Sequence, residues 1–134
     1  SGSLEQMALA EFCKENFNSH FKTLKIKLQN KSEAICNALD KYFGSSAEYK
    51  KPDGGIFVWV DMHKKVDTSR LYELALKDGV AINPGNEWSI NKSGRHKMRL
   101  CFGNPSIKEI DEGIKRLAII CRKEFGIPTK IANL

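Results

Sequence analysis

Apolar residues recur at helical spacing along the first third of the chain. Leu4, Met7, Ala8 and Phe12 predict a helix from Leu4 to about Asn16, with Asn16-Phe17-Asn18 as its end. Phe17, Phe21, Leu24, Leu28, Ile35, Leu39 and Tyr42 then predict a longer helix from about Ser19 to Phe43. Its apolar stripe, broken only at Lys31-Ser32, has a Lys-rich back. Gly44-Ser45-Ser46 stops it.

The period then changes from helical to strand-like. Ala47 to Lys51 and Ile56 to Met62 read as two strands joined by Pro52-Asp53-Gly54-Gly55, residues suited to a tight reversal. Ile56-Phe57-Val58-Trp59-Val60 is nearly continuous in apolar residues, which predicts a strand covered on both faces. Asp67 or Thr68 can cap the next helix, which carries Leu71, Leu74, Ala75 and Val80 and closes at Asp78-Gly79. Val80-Ala81-Ile82 reads as a short strand ended by Asn83-Pro84-Gly85. Glu87 to Gly94 reads as a polar loop around Trp88, and Lys97 to Phe102 as a strand. Ser106-Ile107-Lys108-Glu109 is a capping box. It opens a helix with a buried stripe of Ile107, Ile110, Ile114, Leu117, Cys121 and Phe125, ended by Gly126-Ile127-Pro128.

The order helix, long helix, hairpin, helix, strand, strand, helix predicts an α+β two-layer sandwich. A small, mostly antiparallel sheet of about four strands carries helices on one face. The expected divisions are 1–3 as an appended scar, 4–45 as a helical linker, 46–126 as the domain and 127–134 as a tail. With Ser1-Gly2-Ser3 and no initiator Met, the chain reads as a fragment of a longer protein.

With 41% hydrophobic and 28% charged residues, the 134-residue chain is not of disordered composition. Its net charge of +6 favours anionic partners in principle. The 22 basic residues are mostly lysines spread along the sequence, the pattern of a solvated surface rather than a clustered nucleic-acid footprint. Cys13, Cys36, Cys101 and Cys121 form no CxxC and no zinc spacing with His20, His63 and His96, so no metal site is expected. Free cysteines in apolar patterns suggest a reducing, cytoplasmic setting.

No complete catalytic set is visible. Asp53 and Asp61 flank a strand, with nothing to tie them into a pair. Arg99 is the most informative residue. Alternation puts Met98, Leu100 and Phe102 on one face of their strand and Lys97, Arg99 and Cys101 on the other. Arg99 there is either an exposed or internally paired arginine or a planar fork for a carboxylate. Pro84-Gly85 is either a plain turn or a loop approaching a ligand.

Together these motifs resemble a known family. Pro52-Asp53-Gly54-Gly55-Ile56-Phe57-Val58-Trp59 is followed by Asp67, Leu71-Tyr72-Glu73-Leu74-Ala75, Gly79-Val80, Pro84-Gly85 and Met98-Arg99-Leu100-Cys101-Phe102. A helix with Ile110 and Gly113 completes the series. The series resembles the C-terminal small domain of class I/II aminotransferases, fold type I of the pyridoxal-phosphate enzymes, in the branch of 2-aminoadipate transaminases and MocR-type regulators. The helix with His20, Leu24 and Leu39 resembles the segment joining that family's two domains. The resemblance covers about Leu4 to Phe125.

The resemblance implies that Arg99 holds the α-carboxylate of an amino-acid substrate. It implies that Trp88 lies near the substrate entrance, as core packing or as site lining. It places the cofactor's lysine, the aspartate at its pyridine nitrogen and the phosphate loop upstream, so this fragment supplies no catalytic or cofactor-binding residue and is expected to be inactive alone. Pyridoxal 5'-phosphate would be bound by the full-length parent, which is expected to be a homodimer moving amino groups between amino acids and 2-oxo acids. One alternative is the effector domain of a MocR-type regulator, with DNA as the parent's partner. Another is a basic nucleic-acid-binding module, though no repeated aromatic platform supports it.

Overall fold

No Gly or Pro interrupts residues 3–42, and one helix, α1 (Ser3–Tyr42), spans all of them. A computed structural model describes residues 3–87 and 94–131, with Trp88 outside that range. The expected break at Asn16-Phe17-Asn18 is absent. Asn and Ser weaken a helix by less than about 1 kcal/mol each and do not block its hydrogen bonds, whereas Gly and Pro cost more. The apolar stripe is also used unevenly. Ile35, Leu39, Tyr42 and Phe43 are buried, but Phe21 and Leu24 are exposed, so only the C-terminal part of α1 joins the core. Lys31 and Ser32, the apparent break in the stripe, are buried. The Lys31 ammonium donates to the carbonyl of Gly103 at 3.0 Å.

After a 3-10 turn at Gly44–Ser46 come β1 (Ala47–Tyr49), β2 (Phe57–Met62), α2 (Thr68–Lys77), β3 (Asn83–Pro84), β4 (Lys97–Cys101) and α3 (Ile107–Phe125). The four strands form one antiparallel sheet in the order β1-β2-β4-β3. This is the expected α+β sandwich. The expected strand at Val80-Ala81-Ile82 is displaced to Asn83–Pro84, where backbone pairing with Arg99 and Met98 is available. Asp67 caps α2 through the amides of Ser69 and Arg70. The capping box of Ser106 and Glu109 is fully formed, and Gly126 ends α3 in the left-handed region.

Alternation divides the sheet. Val58, Val60 and Met62 of β2 and Met98 and Leu100 of β4 are buried. They meet α1 and α3, whose buried residues include Leu39, Ile114 and Leu117. Each such side chain contributes about 1.5–3 kcal/mol through burial. Ile107, expected in the buried stripe of α3, is 51% exposed in the first turn of the helix. The tail is packed: Ile127 and Ile131 are buried, and the Lys130 amide donates to the Tyr42 carbonyl. Ser46 donates its hydroxyl to the carbonyl of Pro128.

Candidate functional site

β2 was expected to be covered on both faces; among the described residues only one face packs against the helices. Trp59 is 55% exposed, and Ile56 and Asp61 are exposed as well. The register defines the open face. Glu48, Asp61 and Lys97 form one row, Trp59, Arg99 and Asn83 the next, and Phe57 and Cys101 a third. Directly opposed residues on neighbouring strands share a face, which places all eight side chains on the uncovered side.

Arg99 sits in the middle of this face, on β4 between two paired strands. Its guanidinium carbon lies 4.0 Å from the centre of the Phe57 ring and 5.6 Å from that of Trp59. Such contacts hold a flat cation by its face and leave its edge available. Nε is closed off from solvent and has no hydrogen-bond partner. Among the described residues Arg99 makes no ion pair. With Nε shut in, the two Nη groups remain as a fork for an incoming anion, and a carboxylate fits that fork with two parallel hydrogen bonds.

Two neighbours support the geometry. Asn83, half-buried, pairs with Arg99 across β3 and β4. The chain leaving β3 passes the chain entering β4 closely. A Cβ on Gly85 would lie 2.4 Å from the Gly94 carbonyl oxygen and 2.7 Å from that of Lys97. Only glycine allows that approach, so Gly85 acts in packing and the Pro84-Gly85 option of direct ligand contact is not needed to explain it. At the far end of the face, His96 Nε2 lies 2.9 Å from an Asp61 carboxylate oxygen. Arg95, next to it, reaches Asp67 at 3.8 Å, and its carbonyl accepts from both the amide and the hydroxyl of Thr68.

Phe57, Trp59 and the His96–Asp61 pair were missed in the sequence. The signal was the alternation Phe57-x-Trp59-x-Asp61 facing Lys97-x-Arg99-x-Cys101, which becomes informative once the register is known. Asp53 lies in the exposed turn at the other end of β2 and does not approach Asp61 as a pair.

The remaining titratable groups with shifted behaviour lie elsewhere. Burial pushes the Cys121 thiol up to about 12 and raises Cys36 too, so both are packing residues. Burial, and then its hydrogen bond to Asp40, raises Tyr49. A groove of about 720 Å³ runs between α1 and the turn after β1, walled by Phe21, Leu24, Leu28 and Phe102, and its described lining contains no open-face residue. Among the described residues no cluster is placed to hold a metal ion, and no helix is long and apolar enough to cross a membrane.

The family model "Aminotransferase class I and II" matches residues 1–117. The chain is 32% identical over 114 residues to the 2-aminoadipate transaminase of Thermus thermophilus, covering 85% of this chain and 29% of that protein. It is 31% identical over 124 residues to the uncharacterised HTH-type transcriptional regulator YisV of Bacillus subtilis, covering 92% of this chain and 25% of that protein. In three dimensions it is similar to LysN, the α-aminoadipate aminotransferase of Thermus thermophilus solved with N-(5'-phosphopyridoxyl)-L-leucine. There the TM-score is 0.75 at 30% identity, over 90% of this chain and 31% of that one. The chain thus spans under a third of the length of these relatives. It belongs to the aminotransferase class I and II family, whose pyridoxal-phosphate-dependent transaminases and HTH-type regulators are both among its relatives.

Proposed function

We propose that this chain is the C-terminal part of a pyridoxal-phosphate-dependent aminotransferase and that Arg99 holds the α-carboxylate of its amino-acid and 2-oxo-acid substrates. The observation carrying this reading is a guanidinium stacked on Phe57, free of any described carboxylate, on the open face of a rigid sheet. Bidentate capture by the Nη groups fixes two substrate oxygens and so sets the direction of the Cα–H bond. Asn83 offers an amide beside that position, and Trp59 shields one side of it.

Pyridoxal phosphate, when bound in the longer polypeptide, supplies the electron sink for amino-group transfer. The open face does not fit the cofactor itself. Besides the fork, an amide and two rings it carries Lys97, Asp61 and Glu48, but Asp61 is engaged by His96 and the resemblance places the cofactor's own lysine, aspartate and phosphate loop upstream. The chain alone is accordingly expected to turn over no amino donor. The exposed aromatic face is the surface that the rest of the polypeptide would close over, which accounts for the nearly continuous apolar run of β2.

The test is Arg99→Lys in the longer polypeptide. Lys keeps the charge but loses the fork. Hydrogen bonds to charged groups are worth about 1.5–3 kcal/mol, so KM for amino donor and 2-oxo acid should rise about 10- to 100-fold. Unchanged KM values for both substrates would remove the assignment.

A second reading is favoured by the similarity to HTH-type regulators over 92% of the chain. In a regulator the same fork would bind an effector acid instead of a turned-over substrate. A DNA-binding helix-turn-helix upstream of this chain, with no transaminase activity in the whole protein, would select that reading.

A further inference from the structure

Arg99 has two diagonal neighbours on β2, Phe57 and Asp61, because Trp59 is its direct partner and the register steps by two on either side. Diagonal positions on one face are about 7–8 Å apart, within reach of an arginine. Among the described residues Asp61 is therefore the carboxylate best placed to capture the fork. The structure shows the opposite arrangement. Arg99 leans onto Phe57 at 4.0 Å, and Asp61 is held by His96 Nε2 at 2.9 Å.

We propose that His96 is a positioning residue: by engaging Asp61 it withholds that diagonal carboxylate from Arg99 and keeps the fork available to a ligand acid. The proposal rests on the reading of Arg99 as a carboxylate receptor. His96 is well suited to the task because its backbone is fixed, its carbonyl accepting from the Met62 amide at 2.8 Å. The other charged groups around Asp61 do not replace it. Lys97 lies opposite Asp61 but is exposed, and an ammonium is a compact, strongly hydrated charge, a weaker match for a carboxylate than a guanidinium fork. Glu48, opposite on the other side, repels Asp61 and favours its departure toward any available cation.

The experiment follows the Arg99 Nε–Hε resonance of this chain by NMR during titration with acetate. In the parent sequence the Phe57 ring shifts the proton upfield, and acetate moves the guanidinium signals. In His96→Ala, Asp61 pairs with Arg99: the upfield shift is lost, and half-saturation needs up to about fivefold more acetate, the upper end for a part-exposed ion pair. The double variant His96→Ala/Asp61→Asn should regain both signatures, which a merely structural role for His96 would not produce. The proposal is overturned if His96→Ala changes neither signature or if the double variant fails to recover. If acetate moves nothing in the parent chain, the carboxylate reading of Arg99 is what has failed. The ring shift, lost and regained or not, still decides whether His96 restrains Asp61.

Discussion

The two faces of the sheet are built from the same strands by the same alternation, yet they obey different rules. The inner face, Val58, Val60, Met62, Met98 and Leu100, is almost fully buried and uniformly apolar. The outer face, residue for residue its neighbour, mixes two aromatic rings, a guanidinium, a thiol and a histidine–aspartate pair, half of it in contact with water. The inner face tolerates no polar group because none would find a partner there. The outer face leaves Arg99 without an ion pair among the described residues, although Asp61 lies one diagonal step away. The contrast separates what folds the chain from what the fold presents.

The largest expected effect tests the inner half of that contrast. Met98 is wholly buried between the strands and the helices. Met98→Ala should cost about 2–5 kcal/mol through lost contacts and the cavity left behind, read as a lowered midpoint in urea denaturation. A loss below about 1 kcal/mol would mean that the inner face is not the core.

A middle-sized effect concerns the helix that covers the inner face. Ser106→Ala removes the hydroxyl that accepts from the Glu109 amide and should cost about 1 kcal/mol. The returning hydrogen bond from the Ser106 backbone amide, and then its side chain, hold the Glu109 carboxyl below the usual range. A folded-state pKa below the unfolded one gives stability that is present at neutral pH and lost as pH falls through the folded value. Glu109→Ala should therefore be less stable than the parent chain at pH 7. The gap should narrow below about pH 4, where the unfolded chain already carries the proton. A gap that widened on acidification would contradict the box.

How much of this was legible beforehand differs between the two faces. The inner face followed from period-two alternation in Met98, Leu100 and Phe102, and the cap of α3 from Ser106 and Glu109, because both signals are local. The single α1 was not legible, since Asn16 and Asn18 resemble an end but only weaken a helix. β3 was misplaced by a few residues because two residues cannot alternate, and their pairing with Met98 and Arg99 is a tertiary fact. On the outer face Arg99 could be singled out by type and phase. Its stacking on Phe57, and the engagement of Asp61 by His96, depend on a strand register that no local pattern encodes.

The smallest expected effect is the one that best sharpens the contrast. Trp59 is the largest side chain on the outer face, and by volume alone its removal should be among the most damaging changes in the chain. Burial, not size, sets that cost: Trp59 is 55% exposed, so most of its surface is in water in the folded chain as in the unfolded one. What remains is the packing of its less exposed part, to which cross-strand pairing with Arg99 contributes about 0.2–1 kcal/mol. Trp59→Ala should therefore lower stability by no more than about 1 kcal/mol, several times less than the smaller Met98. It should nevertheless broaden the Arg99 side-chain NMR signal, because the guanidinium would keep Phe57 beneath it but lose the ring beside it. Equal losses from Trp59→Ala and Met98→Ala would show that the two faces are one core. A small loss with a disturbed Arg99 is the result expected of a surface whose order serves a ligand rather than the fold.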